Sequence, residues 1–243
     1  MKKFDIITHE NGTHSLKELS SGEAMHSRIG PEQEAEDLYV GQSGLVERLL
    51  IPGPPFVLWD VGMGTAANAL IALQQVRKSG ATRLFEIHSF ETELSGIKMA
   101  LENSERFPFL KSDLALIHEL LREKKVHADH FSWNLHEGDF FKNLASAPAA
   151  DIIFYDFYAP KICPELWTLE CFQKVRAAVG EHRCELYTYS ASTAVRLALI
   201  RAGFYVGHGR GTDLKLESTV ASTALVHLEK PLDEKWRKKL SSP

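Results

Sequence analysis

The sequence predicts an α/β fold built on a doubly wound, mostly parallel sheet. From residue 56 onward, short apolar runs alternate with segments of helical periodicity, an order typical of a parallel sheet covered by helices. The first run, at 56–61, is almost continuously apolar, as in a strand buried on both faces. A chain of 243 residues, 44% of them apolar, is long enough for one such domain with a full core.

The segment before the main sheet predicts a small β-hairpin followed by a helix. Alternating stretches at 4–8 and 13–16 flank an Asn-Gly pair, which favours a tight hairpin turn. Residues 31–49 place acidic side chains early and apolar ones later, which indicates a helix, and the Pro- and Gly-rich segment 51–55 ends it. We therefore expect an N-terminal extension, residues 1–50, that packs on the main domain.

The main domain, residues 51–230, is predicted to alternate strands and helices, and a basic tail at 231–243 follows it. Gly203 closes the last predicted helix, as glycine commonly does at a helix C-terminus. The predicted strands lie at 56–61, 83–90, 131–136, 151–155, 185–190, 205–207 and 219–228. The predicted helices lie at 65–78, through Met99 and Leu101, and at 111–125, 166–179 and 192–202.

Composition and charge exclude several classes of protein. The formal net charge is −4, from 28 basic and 32 acidic residues, so a nucleic acid would have to bind a local basic patch. The three cysteines lack a paired metal-ligand spacing and the eleven histidines form no H-E-x-x-H motif, so we expect no metal. Because there is no run of eighteen apolar residues and no signal peptide, we expect a cytoplasmic protein with no membrane partner.

Three acidic side chains at the ends of predicted strands indicate a ligand site. Asp60 ends the first strand of the main sheet, Glu91 follows the second, and Asp156 follows the fourth. In a parallel sheet these strand ends meet at one edge, where ligands bind. Gly62 and Gly64 lie where the backbone must turn tightly, before a helix that offers free N–H groups. The combination predicts a nucleoside-type cofactor.

The chemistry of the loop separates the candidate cofactors. A dinucleotide fold requires G-x-G-x-x-G, but residue 67 is alanine and Glu91 follows later than the usual spacing of about 20 residues. A ligand with one ribose and no pyrophosphate, such as S-adenosylmethionine, needs the glycine turn, a carboxylate for the ribose and a polar contact to the adenine. Asp139, after the third strand, lies where that contact is expected. A nicotinamide-dependent oxidoreductase is the weakest alternative.

The segment from Asp156 to Trp167 resembles the signature of a known family. Its letters, D-F-Y-A-P-K-I-C-P-E-L-W, are similar to D-G-F-A-P-x-x-N-P-x-x-W of the MnmC-like methyltransferases, which methylate 5-aminomethyluridine at the tRNA wobble position. The resemblance spans residues 9–228, and it is to the stand-alone type without an FAD-dependent oxidase domain. Further similar segments lie at 11–13, 26–34, 60–68, 189–191, 195–196 and 202–204.

The resemblance implies an S-adenosylmethionine-dependent methyltransferase with a class I, Rossmann-like fold, a reversed last strand and tRNA as partner. It also implies that Asp156 faces the acceptor as a catalytic residue, together with Tyr158. The implied cofactor-binding residues are Asp60, Gly62, Gly64, Asn68, Glu91, Asp139 and Phe140. The predicted substrate-binding residues are His26, Ser27, Trp167, which would stack on a base, and Arg196 and Lys215. Together with Arg201 and Arg210, Arg196 and Lys215 would form a phosphate-binding patch.

Several positions depart from the family pattern. Phe157 and Cys163 stand where the signature has glycine and asparagine, Ala66 replaces the last glycine of the loop, and Asp213 lies in a segment that is more basic in the family. Two alternatives therefore stay open. One is a methyltransferase for another amine-bearing small molecule or a protein, and the other is a non-catalytic relative that binds the cofactor or RNA.

Overall fold

The computed structural model describes residues 3–212, 216–233 and 236. Its longest helix has 13 residues, and no helix within these ranges is long and apolar enough to cross a membrane. The strands are β1 (Phe4–Thr8), β2 (His14–Glu18), β3 (Phe56–Val61), β4 (Phe85–Glu91), β5 (Lys125–Ala128), β6 (Phe131–Glu137), β7 (Ile152–Tyr155), β8 (Glu185–Thr188), β9 (Tyr205–Gly209) and β10 (Ser218–Ser222). The α-helices are α1 (Pro31–Ala35), α2 (Gly41–Ser43), α3 (Leu45–Leu49), α4 (Ala67–Ser79), α5 (Ser95–Glu102), α6 (Leu114–Glu123), α7 (Phe140–Asn143), α8 (Leu169–Val179) and α9 (Thr193–Arg201).

Eight strands form one sheet in the order β5-β6-β4-β3-β7-β8-β10-β9, and β1 pairs with β2 in a separate hairpin. The strands β6, β4, β3, β7 and β8 run parallel, whereas β10 is antiparallel to both β8 and β9. The prediction of a doubly wound, mostly parallel sheet with a reversed last strand and an N-terminal hairpin is confirmed. The residues that follow β3, β4 and β7 therefore meet at the carboxyl edge of the sheet.

One predicted helix and one predicted strand of the main domain end earlier than the sequence predicts. The helix predicted at 111–125 ends earlier, because Lys124 adopts a left-handed conformation (φ 60°) and turns the chain into β5, an edge strand antiparallel to β6. The strand predicted at 219–228 is correct only in its first part. Pairing with both neighbours stops at Ser222, and a 3₁₀ turn, Leu225–His227, follows.

The segment predicted as one helix at 31–49 is helical but irregular. A π-helical turn, Glu36–Val40, connects α1 to α2, and Gly44, with φ 59°, separates α2 from α3. The fully buried Tyr39 lies in the π-helical turn. Such turns are frequent at functional sites.

Both faces of the sheet are buried. Alternate residues of β3 point into two apolar clusters, with Leu58 in one and Trp59 in the other. The first cluster also contains Phe4 and Leu16 of the hairpin and Leu38 of the helical segment. Because each fully buried apolar side chain contributes about 1.5–3 kcal/mol, this shared core holds the N-terminal elements against the sheet.

Candidate functional site

A cavity of about 490 Å³ opens at the carboxyl edge of the sheet. Loops after β3, β4 and β7 form one side, and residues of the hairpin and of the segment after it form the other. Its volume lies in the range of small-molecule sites. The sequence-predicted residues that line it are His26, Ser27, Gly62, Gly64, Asn68, Glu91, Asp156 and Tyr158.

The loop between β3 and α4 requires glycine at its first position. Gly62 has φ 86°, and a Cβ atom placed on it would lie 2.7 Å from the backbone oxygen of Asp156. Gly64 also has positive φ, at 56°. Ala66, which replaces the last glycine of the family loop, adopts the same left-handed region (φ 65°). The chain therefore keeps the backbone path of a glycine loop and brings it against the end of β7.

Glu91 lines the cavity and is bonded to the glycine loop. Its Oε2 accepts a hydrogen bond from the Gly64 N–H at 2.9 Å, and its Oε1 accepts one from the Glu93 N–H at 3.0 Å. Burial raises the pKa of Glu91, and these backbone hydrogen bonds oppose that shift. The carboxylate is thus fixed in the cavity wall, at the place where the sequence predicts a ribose contact.

Asp60 lies behind the cavity rather than in its wall. The side chain is fully buried and its Oδ2 accepts a hydrogen bond from the Ser89 hydroxyl at 2.6 Å. Burial raises the pKa of Asp60 to about 7; the Ser89 hydrogen bond lowers it, and the charges of Asp156 and Glu91 raise it. Because it does not line the cavity, the predicted direct contact between Asp60 and a cofactor is not supported.

Asp156 is held by two hydrogen-bond donors from different elements. Tyr39 Oη donates to Oδ1 at 2.6 Å, and Asn68 Nδ2 donates to Oδ2 at 2.8 Å. Burial raises the pKa of Tyr39 well above its ordinary value, so the phenol stays protonated and remains a donor. Tyr39 is absent from the sequence prediction, because nothing local in a helical pattern signals a partner 117 residues away.

Tyr158 lines the cavity, and its phenol oxygen is buried with no hydrogen-bond partner within the described ranges. Burial raises the pKa of Tyr158, so the phenol stays neutral. Its backbone carbonyl accepts the Cys163 thiol at 2.9 Å. Burial also raises the pKa of Cys163 to about 11, so this thiol is a protonated donor and not a nucleophile.

The structure does not support the predicted stacking of Trp167 on a substrate base. The side chain is 5% exposed, packs edge to face on Tyr155 and Tyr189, and does not line the cavity. Its indole Nε1 donates to the Tyr158 carbonyl at 2.8 Å. Trp167 therefore supports Tyr158 from the core and is not placed to stack on a substrate base.

The structure does not support the predicted contact of Arg196 with a phosphate group. Arg196 is 1% exposed, and its guanidinium donates to the Thr219 hydroxyl and the Ser218 carbonyl, each at 2.9 Å. It also pairs with Glu217 at 3.1 Å. A buried, fully engaged guanidinium is not available to a phosphate group, so Arg196 stabilises β10. Lys215, its predicted companion, lies outside the described residues.

The predicted adenine contacts also lie outside the cavity wall. Asp139 is exposed and caps α7, where it accepts the Lys142 N–H at 3.1 Å. Phe140 is buried and packs edge to face on Phe157 at 5.6 Å. Phe157, which replaces a glycine of the family signature, lines the cavity and covers Phe140. Here the cavity presents the aromatic ring of Phe157.

The segment after the hairpin closes the opposite side of the cavity. The Ser27 N–H donates to Glu34 Oε2 at 2.7 Å, and the His26 N–H donates to the Ser15 hydroxyl at 3.1 Å. Burial lowers the pKa of His26, which keeps its imidazole neutral near pH 7. These contacts hold His26 and Ser27 in the cavity wall.

Among the residues that the structure describes, acidic side chains outnumber basic ones around the cavity. Lys3 pairs with Glu93 at 3.2 Å, and Lys161 pairs with Glu23. The surplus of carboxylates produces a negative potential that favours a cationic ligand. The lining carboxylates are Glu18, Glu23, Glu34, Glu91, Glu93 and Asp156.

Comparison with known proteins identifies relatives of this chain. Residues 105–224 match a family model described as S-adenosyl-L-methionine-dependent methyltransferase. The bifunctional tRNA 5-methylaminomethyl-2-thiouridine biosynthesis protein MnmC of Ectopseudomonas mendocina is 26% identical over 209 residues, which are 82% of this chain and 32% of that protein. An uncharacterized protein of Methanocaldococcus jannaschii is 25% identical over 228 residues, 89% of this chain and 58% of that protein. The chain thus spans less than two thirds of these relatives.

A solved structure is similar over almost the whole chain. The crystal structure of MnmC2 from Aquifex aeolicus superposes with a TM-score of 0.76 at 26% sequence identity. The match covers 99% of this chain and 76% of the other. The hairpin, the helical segment and the sheet therefore recur together in that protein.

Proposed function

We infer that this chain, which belongs to the MnmC-like S-adenosyl-L-methionine-dependent methyltransferases, methylates the amine of a 5-aminomethyl group on the wobble uridine of tRNA. The observation that carries the proposal is the position of Asp156. Its carboxylate lies in the same cavity as the glycine loop and is bonded to Asn68 at the start of α4. A proton acceptor beside a cofactor loop suits methyl transfer to an amine, because the nitrogen has to lose a proton in the reaction.

The residues of the cavity fit S-adenosylmethionine. Gly62 and Gly64 let the backbone approach a ligand closely. Glu91 is proposed to accept hydrogen bonds from the ribose hydroxyls. The surplus of carboxylates suits a positively charged ligand. When bound, S-adenosylmethionine would supply a methyl group from its positively charged sulfur, which would keep the electron pair of the broken C–S bond as a neutral thioether.

The chain's own residues are proposed to position the acceptor and move one proton. Asp156 orients the amine and takes the proton that the nitrogen loses as it gains a methyl group. Tyr158, whose buried phenol oxygen has no hydrogen-bond partner among the described residues, is proposed to face the acceptor base. The cavity walls hold the reactants in line and exclude water, which supplies most of the rate enhancement.

tRNA is the proposed partner, because the MnmC relatives are named for a tRNA modification. Arg201 and Arg210 are exposed and remain candidates for phosphate contacts. The division into an extension (1–50), a methyltransferase domain (51–230) and a basic tail (231–243) belongs to the same proposal. So does a cytoplasmic location.

A paired assay tests the proposal. The purified chain is incubated with S-adenosylmethionine and tRNA that carries 5-aminomethyluridine, and methyl incorporation is compared with that into the same tRNA lacking the aminomethyl group. We expect methylation of the first tRNA alone. Calorimetry should detect S-adenosylmethionine binding and no NADH binding, because the loop lacks a pyrophosphate cradle.

The same assay separates the alternatives. Transfer to free amines or to a protein at rates that tRNA does not change would identify a different acceptor. Cofactor binding without methyl transfer to any of these acceptors would identify a non-catalytic relative. Absence of S-adenosylmethionine binding by the folded protein would contradict the proposed cofactor site.

A further inference from the structure

We propose that Tyr39 is a positioning residue that orients the Asp156 carboxylate for the acceptor amine. The inference rests on the proposed function, in which Asp156 takes a proton from that amine. Tyr39 does not line the cavity, and its hydroxyl donates to Asp156 from behind the wall. It would therefore influence the reaction through Asp156 and not by touching a substrate.

The two oxygens of Asp156 are held separately. Tyr39 Oη, in the π-helical turn, donates to Oδ1 at 2.6 Å, and Asn68 Nδ2, in the first turn of α4, donates to Oδ2 at 2.8 Å. Donors on both oxygens fix the plane of the carboxylate. Hydrogen bonds to an ionised group are about twice as strong as neutral ones, so both donors also favour the charged form.

Other contacts fix the backbone beside this carboxylate. Tyr189 Oη donates to the Phe157 carbonyl at 3.0 Å, and Trp167 Nε1 donates to the Tyr158 carbonyl at 2.8 Å. Removing the Tyr39 hydroxyl should therefore leave the backbone in place and change the hydrogen bonding of the side chain alone.

Further titratable groups surround Asp156. Asp60 of β3 and Tyr189 after β8 interact with its charge. Glu91, the last residue of β4, interacts with Asp60, and Glu34 of α1 interacts with Tyr39. None of these changes in Tyr39→Phe, which keeps the ring and its packing. A difference between this variant and the wild type therefore reports on one hydroxyl.

The first test is the kinetics of Tyr39→Phe on the tRNA substrate. Loss of one hydrogen bond to a charged group should lower kcat about tenfold to a hundredfold. The acidic limb of the pH–rate profile should move to higher pH by about one unit, because the ionised form of Asp156 loses a donor. KM for tRNA and the affinity for S-adenosylmethionine should stay within about threefold, since Tyr39 contacts neither.

Tyr187→Phe is a matched control. Tyr187 is also buried, and its hydroxyl donates to the Glu185 carboxylate at 2.8 Å on β8, away from the cavity. Its removal should cost similar stability and leave kcat and the pH profile unchanged. A purely structural role of Tyr39 would make the two variants behave alike.

A second measurement does not depend on activity. The carboxyl carbon of Asp156 is followed by NMR in protein labelled at aspartate, with its signal assigned by its loss in Asp156→Asn. The titration midpoint should be about one pH unit higher in Tyr39→Phe than in the wild type or in Tyr187→Phe.

The outcomes separate this inference from the proposed function. Methylation by the wild type together with both shifts supports the role of Tyr39, and methylation with neither shift overturns it. If the wild type transfers no methyl group to tRNA, the proposed function fails. The NMR midpoint then still decides whether Tyr39 controls Asp156.

Discussion

The two sides of the cavity were not equally visible in the sequence. The sheet wall, formed by Gly62, Gly64, Glu91, Asp156 and Tyr158, follows directly from the ends of β3, β4 and β7. The N-terminal wall, formed by Met25, His26, Ser27 and Glu34, comes from the segment between the hairpin and the π-helical turn. Parallel strands align their carboxyl ends by geometry, so that wall follows from a local pattern. The N-terminal wall depends on tertiary packing, which a local pattern does not encode.

The difference between the two walls also predicts that they have different functional roles. Residues of the sheet wall are anchored by backbone and carboxylate hydrogen bonds next to the glycine loop, where a cofactor is proposed to lie. Glu34 of the N-terminal wall interacts electrostatically with Tyr39 and Tyr189, on the side of Asp156. We therefore expect substitutions in the sheet wall to affect cofactor and chemistry, and those in the N-terminal wall to affect the acceptor.

The largest effect is expected from Asp156→Asn. The amide cannot take a proton from the amine, so kcat should fall about a hundredfold to a thousandfold. S-adenosylmethionine affinity, measured by calorimetry, should change little, because this side chain faces the acceptor. A rate close to that of the wild type would remove Asp156 from the mechanism.

The second-largest effect is expected from Asp60→Asn, which should change how the stability of the protein depends on pH. Unfolded, this carboxyl loses its proton near pH 3.8, whereas burial raises the pKa in the folded protein to about 7. Stability conferred by Asp60 is therefore full below pH 3.8 and falls as the pH rises towards and just past 7. Asp60→Asn should remove this loss, worth about 2 kcal/mol between pH 5 and pH 8, in denaturant titrations.

The stability of Asp60→Asn has to be compared with that of the wild type at each pH, because His88 titrates as well. Burial lowers the pKa of His88 to about 4, so its contribution to stability falls as the pH drops from 6.5 to 4, opposite in sign to that of Asp60. The two contributions partly cancel in the wild type. If Asp60→Asn and wild type keep the same stability difference at pH 5 and pH 8, Asp60 is ionised throughout.

Glu91→Gln tests the cofactor contact that is proposed for the sheet wall. Replacing the carboxylate by an amide should weaken S-adenosylmethionine binding about tenfold, because a charge-assisted hydrogen bond to the ribose is lost. Glu137→Gln is the matched control. Glu137 pairs with Glu91 in the register of β4 and β6 but does not line the cavity, so calorimetry should detect no change. Equal effects of the two variants would indicate a nonspecific charge effect.

Glu34→Gln should give the smallest effect and is the test of the N-terminal wall. The amide oxygen can still accept the Ser27 N–H, so the variant removes charge with little change in structure. Loss of about 1 kcal/mol of attraction for a cationic amine should raise KM for the tRNA about threefold to fivefold. Cofactor affinity should not change. An effect on the cofactor alone would contradict the proposed division between the walls.

The fold was largely predictable because hydrophobic periodicity and turn residues are local signals. The hairpin, the parallel strands and the acidic strand ends follow from them, and the structure confirms these elements. The strand β5 was not predictable, because its start depends on a left-handed backbone conformation of Lys124. Residues other than glycine rarely adopt that conformation.

The site was predictable only where a residue type and a strand end coincide. Trp167 and Arg196 matched family motifs, but a motif does not state whether a side chain points to a ligand or into the core, and both are buried. Tyr39 shows the converse case. It contacts Asp156 across 117 residues of sequence, from a π-helical turn that no apolar pattern indicates.

The contact between Gly62 and the backbone oxygen of Asp156 limits how this protein can vary. Any side chain at position 62 would collide with the end of β7, which is backbone and cannot rotate away. A substitution there is tolerated only if β3 and β7 separate at their carboxyl ends, and that movement would displace Asp156. In a library of random variants selected for activity, position 62 should therefore accept glycine alone, while the neighbouring Met63 accepts other apolar residues.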